Sequence, residues 1–360
     1  MESKSSAIKF KRSNSTFFME LHEEVTKILN PKIIQKAKTL IKVKLLFYAF
    51  IYILFFISIF SPAVYTNQYT LIIAYCFFGL SGILFAFNAS HDATHEVLFD
   101  KKIFNVILHY MVFNLQGVNA TLWKKRHIRS HHLFPNVDGC DADIDDNPFI
   151  RLSKQHKLKK MHKFQHLYAP FIYCLYTLHW ILIKDFVYLK KTRVANMTDL
   201  TYTTSFKIEV ILLKLGYFFL LIGLPYLFTE ASLGQILIAF FCMHFFISIF
   251  FVLTLIISHL TMETVFPIAN ENGTLPFDYH QHQLAVSMDY HPKSKVANWI
   301  FGGFNAHSAH HLFPNMQHTL YAEISPSIKK IALKHGLAYN ELPIHKAILS
   351  HFRFLKKLGT

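Results

Sequence analysis

Long uninterrupted runs of apolar residues divide this sequence, and the runs occur in two pairs. The first pair occupies residues 45–66 and 69–90, and the second occupies residues 211–228 and 234–257. A helix of roughly 20 residues crosses the hydrocarbon core of a bilayer, which is about 30 Å thick. Because short turns join the two members of each pair, the pattern predicts an all-α membrane protein with four transmembrane helices in two hairpins.

Two further apolar stretches are shorter or more polar. Residues 103–118 include Asn, His and Gln side chains, and residues 170–183 are followed at once by Lys184 and Asp185. Neither stretch is suited to crossing a bilayer alone, so the pattern predicts helices that lie in the membrane interface.

The rest of the chain is of mixed polarity. Residues 1–44 form a polar N-terminal segment, and residues 45–360 form one domain in which 91–210 and 258–360 make a helical cap. No internal repeat separates the cap from the spans, so we expect the cap to belong to the same domain.

The distribution of charge predicts the side of the membrane on which the cap lies. Lys and Arg number 37 against 22 Asp and Glu, a formal net charge of +15. Residues 45–100 and 215–292 contain no Lys or Arg, so both hairpin tips lack positive charge. The positive-inside rule therefore places both termini and the cap in the cytosol, with the spans in a bacterial inner membrane or the endoplasmic reticulum.

The overall composition excludes several classes of protein. Hydrophobic residues make up 52% of the chain and aromatic residues 16%, which excludes a disordered or collagen-like chain. Four scattered Cys residues are too few for a disulfide scaffold. The membrane topology accounts for the excess of Lys and Arg over Asp and Glu, so this excess does not indicate a nucleic-acid partner and we expect none.

Eight of the 23 histidines lie in three short clusters near the predicted spans. The clusters are His91 and His95; His127, His131 and His132; and His307, His310 and His311. A separation of four residues places two imidazoles on one face of a helix, which is a spacing typical of metal ligands. The second and third clusters also share the sequence His-His-Leu-Phe-Pro-Asn, an agreement that chance does not explain.

The adjacent histidines of the second cluster restrict how a metal can bind. On a regular helix of 3.6 residues per turn, His131 and His132 point about 100° apart. A single metal on one helix face therefore cannot bind His127, His131 and His132 together. Either the helix is distorted here, or the adjacent pair divides between two metals in a dinuclear centre.

His259 lies at the cytosolic end of the fourth predicted span, at the right depth to join the clusters. Neutral imidazole ligands suit Fe, Zn, Cu or Ni rather than Mg or Ca, and the spacing does not choose among the first four. His282 is a further candidate ligand. The assignment is tentative because the stretch that includes His280, His282 and Gln283 also fits a polar surface of the cap.

Aspartates accompany the first two clusters. Asp92 follows His91 and is a tentative partner that could orient the His91 ring. A run of five follows the second cluster: Asp138, Asp141, Asp143, Asp145 and Asp146. The run lacks the Gly and closing Glu of a calcium loop, so we predict that it orients nearby His rings or pairs with basic residues of the cap.

The other histidines do not indicate a metal site. His179 and His244 stand alone on apolar faces and are predicted to be hydrogen-bonded core residues. Several more accompany the lysines of the basic stretch, residues 154–163. We expect this stretch to be a solvated face beside anionic headgroups, the alternative being a docking surface for an acidic electron donor or a phosphate-bearing substrate.

Together the clusters resemble the three histidine boxes of the membrane fatty acid desaturases, H-x(3-4)-H, H-x(2-3)-H-H and (H/Q)-x(2-3)-H-H. The resemblance covers nearly the whole chain after the N-terminal segment. Trp123, residues 136–139, residues 165–170 and residues 302–305 look like the front-end, linoleoyl-CoA desaturase-like branch. Front-end members usually have Gln at the position of His307, and this chain shows no fused cytochrome b5 domain.

The resemblance implies a non-haem centre of two iron ions, with O2 as co-substrate. The implied ligands are His91, His95, His127, His131, His132, His259, His307, His310 and His311. Asp92, His282 and Asn305 are tentative ligands or partners of ligands. The implied reaction inserts a cis double bond into a fatty acyl-CoA or a phospholipid acyl chain, with electrons from a separate ferredoxin or cytochrome b5 and its reductase.

Three other functions are compatible with a histidine-rich membrane protein. A lipid hydroxylase, or a sphingolipid or carotenoid oxidase, would use the same ligand architecture and differ mainly in whether oxygen rebounds onto the substrate radical. A divalent-metal transporter would need ionisable groups along a path through the spans, where His244 offers little. An intramembrane zinc protease would need His-Glu-x-x-His, whereas this chain has Asp92 at the Glu position.

Overall fold

The computed structural model describes residues 8–12, 15–145 and 148–360. Over those ranges the chain is helical, and extended backbone pairs only in three isolated bridges. The main helices, in chain order, are α1 (Phe17–Ile28), α2 (Pro31–Ser58), α3 (Gln68–Thr94), α4 (Lys102–Leu115), α5 (Ala120–Arg126), α6 (Lys160–Cys174), α7 (Tyr176–Lys190), α8 (Thr204–Phe228), α9 (Leu233–Ile256), α10 (Tyr279–Ala285), α11 (Lys295–Phe301), α12 (His307–Leu312), α13 (Tyr321–Lys334) and α14 (Ile344–Leu358).

Four of these helices, α2, α3, α8 and α9, are long and apolar enough to cross a membrane. They agree with the predicted spans in number and order, so the predicted all-α membrane architecture is confirmed. Helix α2 begins at Pro31, because the Asn30 side chain caps it by accepting hydrogen bonds from the backbone N–H groups of Lys32 and Ile33. The change from polar to apolar residues at position 45 therefore lies within one continuous helix.

Helices α3 and α9 run side by side in the same direction. Gln68 at the start of α3 donates a hydrogen bond to the Gln235 carbonyl at the start of α9, 3.3 Å away. In the middle of the pair, a Cβ on Gly79 would lie 2.6 Å from Met243 Cγ, so glycine permits the close approach. The C-terminal ends of both helices therefore reach the same side of the bundle, where His91 and His259 lie.

The two shorter apolar stretches also form helices. Helix α4 covers the first, and α6 and α7 cover the second with a bend of 65° between them. The break frees the backbone N–H of Thr177, which donates a hydrogen bond to Ser248 Oγ on α9, 3.1 Å away. The predicted helices are present, and their location in the membrane interface stays a prediction.

The cap is held together by the N-terminal segment. Helix α1 packs its buried Leu21 into the apolar cluster around Ile324 and Ile328 of α13. Ahead of α1, Lys9 pairs its backbone with the loop before α10, donating to the Gly273 carbonyl and accepting from the Leu275 N–H. The described residues of the segment before the first span therefore pack against the cap.

A buried ion pair joins the second hairpin to the chain that leads into the second histidine cluster. Lys214 Nζ on α8 lies 2.6 Å from Asp185 Oδ2 on α7, and both side chains are almost fully buried. The Lys214 ammonium also donates to the Gly117 carbonyl, and Asp185 accepts from the Asn119 N–H. Both charges therefore have partners where water is excluded.

Replacing Lys214 with Met is expected to destabilise the protein by about 3–5 kcal/mol, because it leaves the Asp185 carboxylate buried without its cation. The measurement is the midpoint of thermal unfolding of the detergent-purified protein. The double variant Lys214→Met/Asp185→Leu should recover much of the loss, since it removes both charges. A single variant as stable as the wild type would contradict this account.

Candidate metal centre

The first histidine cluster lies at the end of α3, where the helix changes its winding. Residues 86–90 form a π-helical turn, and one α-helical turn, His91–Thr94, follows. The His91 and His95 rings lie with their centroids 5.0 Å apart. Glu96 then takes a left-handed backbone conformation, with φ of 62°, which ends the helix directly after the second histidine.

The helix distortion considered for the second cluster is present, and the division of the adjacent pair between two metals stays a prediction. Residues 127–131 are π-helical, and the His132 N–H donates to the His127 carbonyl in an i to i+5 hydrogen bond of 2.9 Å. The distorted turn still directs the adjacent pair apart. His131 joins one set of histidines, while His132 faces another.

Eight of the nine predicted ligands come together in two adjoining groups, and the ninth lies between them. Group 1 consists of His91, His95, His127 and His310, and group 2 consists of His131, His259, His307 and His311. Candidate ligand nitrogens within each group lie within 4.8 Å of one another. His132 forms a third set with His310 and His311 and so connects the two groups.

The nitrogen spacings fit metal ions at the centres of these groups. In group 1, His127 Nε2 lies 3.1 Å from His91 Nε2 and 3.2 Å from His95 Nε2. In group 2, His259 Nε2 lies 3.1 Å from His311 Nε2. Two nitrogens bound about 2.0–2.1 Å from one metal ion are about 2.8–3.4 Å apart in octahedral or tetrahedral geometry. The protein therefore aims several lone pairs at two common points.

Burial keeps most of these imidazoles neutral, as metal ligation requires. It holds the pKa of His127, His132 and His259 well below the usual value for histidine. The same cause lowers the pKa of the third-cluster histidines. His131 differs: burial lowers its pKa, but the carboxylates of Asp141 and Asp143 outweigh that effect and raise it to about 9.

The outward nitrogens of three group 2 rings contact oxygen atoms. His131 Nδ1 lies 3.2 Å from both carboxylate oxygens of Asp141. His259 Nδ1 lies 2.9 Å from the Val286 carbonyl, and His311 Nδ1 lies 2.8 Å from Gln283 Oε1. Acceptors at these positions favour the proton on Nδ1 and leave the Nε2 lone pair facing the group.

The contacts of Asp141 confirm the prediction that the aspartate run orients a histidine ring. Asp141 also accepts hydrogen bonds from the backbone N–H groups of Asn136 and Asp143, both 2.9 Å long. Asp138 instead pairs with His156, at 2.6 Å. Asp146, the last member of the run, lies outside the described residues.

The structure places the three tentative residues outside both groups. In place of the predicted contact with His91, Asp92 accepts a hydrogen bond from the His318 backbone N–H, 3.2 Å away, and lies 3.0 Å from His318 Nδ1. His282 Nε2 lies 3.0 Å from the Pro135 carbonyl, and Asn305 Nδ2 donates to the His291 carbonyl.

Gln283 is the site residue that the sequence did not reveal. The local sequence fits a polar surface, but Gln283 is fully buried. Its Nε2 donates to the His132 carbonyl, 3.2 Å away, while its Oε1 faces the His311 ring. Nothing in the local pattern distinguishes Gln283 from its polar neighbours in α10, because only the tertiary fold places it between two clusters.

The two lone histidines have different environments. His244 is a core residue as predicted, with Nδ1 2.9 Å from Thr177 Oγ1 and Nε2 2.9 Å from the Tyr217 hydroxyl. Both ring nitrogens are thus engaged, so His244 offers no lone pair to a transported ion. His179 was predicted to be buried but is exposed, because it lies on the outer face of the bent α6–α7 pair.

These features define the class of protein: an integral membrane protein with two adjoining all-histidine groups that could hold metal ions, at one end of its four long apolar helices. Comparison with known proteins identifies the family. A sequence model of the fatty acid desaturase family matches residues 66–343. The chain therefore belongs to the fatty acid desaturase family, which makes it a membrane-bound oxidoreductase.

Individual relatives support the front-end branch. The chain is 29% identical to sn-1 linoleoyl-lipid 6-desaturase of Synechocystis sp., over 89% of this chain and 88% of the relative. It is 30% identical to probable Delta(5) fatty acid desaturase C of Dictyostelium discoideum, over 78% of this chain but 62% of that longer relative. It is 24% identical to sn-1 linoleoyl-lipid 6-desaturase of Arthrospira platensis, over 78% of this chain and 76% of the relative.

Proposed function

We propose that this protein is an O2-dependent front-end desaturase that inserts a cis double bond into the acyl chain of a membrane lipid or an acyl-CoA. The observation that carries the proposal is the pair of adjoining four-histidine groups, connected through His132, His310 and His311. Two such groups fit two metal ions at neighbouring positions, bound by neutral nitrogen ligands. The names of the relatives favour an acyl-lipid substrate.

Iron is the metal that this reaction needs. Two iron ions held by the groups would supply, with O2, an oxidant strong enough to remove hydrogen from an unactivated methylene. The chain itself would contribute position: Asp141, Gln283 and the Val286 carbonyl fix ring orientation in group 2, so that the ligand set is preorganised before substrate arrives.

Aromatic side chains separate the histidine groups from the spans. The Phe304 ring lies 4.6 Å from the His91 ring and 4.7 Å from Phe87, which in turn contacts Phe251 of α9. On another side, Trp123 stacks on His127 with centroids 4.5 Å apart. We propose that the acyl chain approaches the histidine groups from the side of the spans. There the aromatic rings exclude water and hold the reacting methylene near the two groups.

The proposed orientation follows from where the ligands lie. His95 directly follows α3, and His259 lies just beyond α9. Both groups are thus at one end of the spanning bundle, the end that the distribution of Lys and Arg assigns to the cytosol. We propose that the site and both termini face the cytosol, and that a separate ferredoxin or cytochrome b5 supplies electrons.

The test is production of a new double bond in a host that lacks polyunsaturated fatty acids. Cells expressing the chain and supplied with linoleate should accumulate a product with one more double bond, located by mass spectrometry of derivatised fatty acids. Cells expressing the His310→Ala variant should not. A hydroxylated product would assign the chain to the hydroxylases, and absence of any product from iron-loaded protein with a working donor would contradict the proposal.

A further inference from the structure

A cavity of about 700 Å³ leads from the polar surface to the metal centre. His95 and His132 form part of its wall. Of the nine histidines, only His95 is partly exposed, and the other eight are buried. The cavity is therefore where the centre comes nearest to the surface of the cap.

The residues that line this cavity include the ion pair of Glu96 and Lys124, 3.0 Å apart, together with the cationic Arg129 and several apolar side chains. Arg129 is exposed on the rim, and the described part of the chain places no carboxylate within ion-pair distance of its guanidinium. Leu133, which is 39% exposed, and Ile128 are apolar parts of the same rim.

A neighbouring turn extends the same surface. Met197 lines the cavity, and Asn196 Nδ2 donates to the Arg129 carbonyl, 2.8 Å away, which holds the turn against α5. Arg193, at the start of this turn, is exposed. We call the surface formed by Ile128, Arg129, Leu133, Arg193 and Met197 the donor face.

We propose that an acidic one-electron redox protein docks on the donor face and delivers electrons through the cavity wall at His95 and His132. This inference rests on the proposed function and names the partner surface of the same site. A small apolar patch within a cationic rim suits a transient complex, in which charge steers the encounter and little area is buried.

The electron balance requires such a partner. Each turnover breaks two C–H bonds of the acyl chain, which supplies two electrons and two protons. The donor protein is oxidised twice by one electron and supplies two more electrons, while solvent supplies two more protons. One O2 is thereby reduced to two water molecules, and the C–C single bond becomes a double bond.

The basic stretch is a weaker candidate for this role. None of its residues lines the cavity. It runs into a strongly apolar surface, where Phe164 is 54%, Leu167 62% and Phe171 73% exposed. Lysines beside exposed apolar side chains fit a membrane surface with anionic headgroups, as predicted from the sequence.

The experiment measures reduction of iron-loaded, detergent-purified enzyme by stopped-flow absorbance. The reductants are two acidic one-electron proteins, a plant-type ferredoxin and a soluble cytochrome b5 domain, with dithionite as a chemical control. The variants are Arg193→Glu and Arg129→Glu/Arg193→Glu. Lys154→Glu/Lys157→Glu is the matched charge reversal in the basic stretch, and iron content is measured for every variant.

The double reversal on the donor face should lower the second-order rate constant for the protein donor at least 10-fold at low ionic strength, and Arg193→Glu alone should lower it by less. High salt should reduce the difference, because it screens the charges. Dithionite reduction and iron content should stay within twofold of the wild type. The reversal in the basic stretch should leave all three quantities unchanged.

Three results would overturn the inference. The first is an unchanged donor rate in both donor-face variants, or a larger loss in the Lys154→Glu/Lys157→Glu variant. The second is reduction of the wild type by dithionite but by neither protein donor. The third is a raised KM for the acyl substrate with normal reduction, which would assign the face to a lipid headgroup. Failure of dithionite itself to reduce bound metal would instead count against the proposed function.

Discussion

Replacing His310 with Ala is expected to lower desaturation at least 100-fold and to remove much of the bound metal. The His310 ring lies 4.6 Å from the His91 ring and 4.5 Å from the His132 ring, centroid to centroid. It belongs to group 1 and also to the set that connects the groups. Loss of a residue that only supports a ligand costs about 10–100-fold in metal affinity or activity, so loss of a ligand shared in this way should cost more.

The measurements are iron per chain in the purified protein and product formation in the expressing host. His345→Ala is the matched control, because His345 is exposed on α14 and belongs to neither group. It should retain the iron content and activity of the wild type. A His310→Ala variant with full iron content and activity would show that the convergent histidines are not the reaction centre.

Replacing Asp141 with Asn should lower metal affinity by about 10–100-fold while leaving the fold intact. Asparagine has nearly the same shape as aspartate, but it lacks the negative charge that supports the His131 ring. Asp141 accepts hydrogen bonds from two backbone N–H groups, and the single amide oxygen of asparagine can replace the two carboxylate oxygens only in part. Group 2, which contains His131, should lose metal before group 1 does.

Affinity is measured by competition with a chelator, and folding by the thermal midpoint of the metal-free protein. Asp138→Asn is the control in the same loop, since Asp138 pairs with His156 outside the groups. It should leave metal affinity within about twofold of the wild type, because it supports no ligand. Equal losses in the two variants would mean that the loop, and not the Asp141 contact, sets the affinity.

The sequence predicted the spans because their signal is local. A run of apolar residues long enough to cross a bilayer must form a helix there, whatever the rest of the chain does, since no other partner exists for its backbone polar groups. The histidine clusters were found for a related reason, because ligand spacing along one helix face is a property of a few consecutive residues.

Several local features could not be predicted from the local sequence pattern. The π-helical turn at residues 127–131 was one of two alternatives that the sequence left open, and the structure shows that the turn is present. His179 follows the same apolar pattern as His244, yet only His244 is buried, because the bend between α6 and α7 turns one face outward. Burial of an isolated residue depends on which helix packs against it, and that neighbour is distant in sequence.

Apolar runs and histidine spacing were therefore enough to predict the membrane architecture and to select nine candidate histidines. The division of these histidines into two groups joined by His132, the oxygen atoms that face their outer nitrogens, and the burial of Gln283 between His132 and His311 all depend on the tertiary fold. The physical reason is separation along the chain. Metal centres require donor atoms within a few ångströms, and here those donors come from segments that meet only when α3 and α9 pack together and the cap folds across their ends.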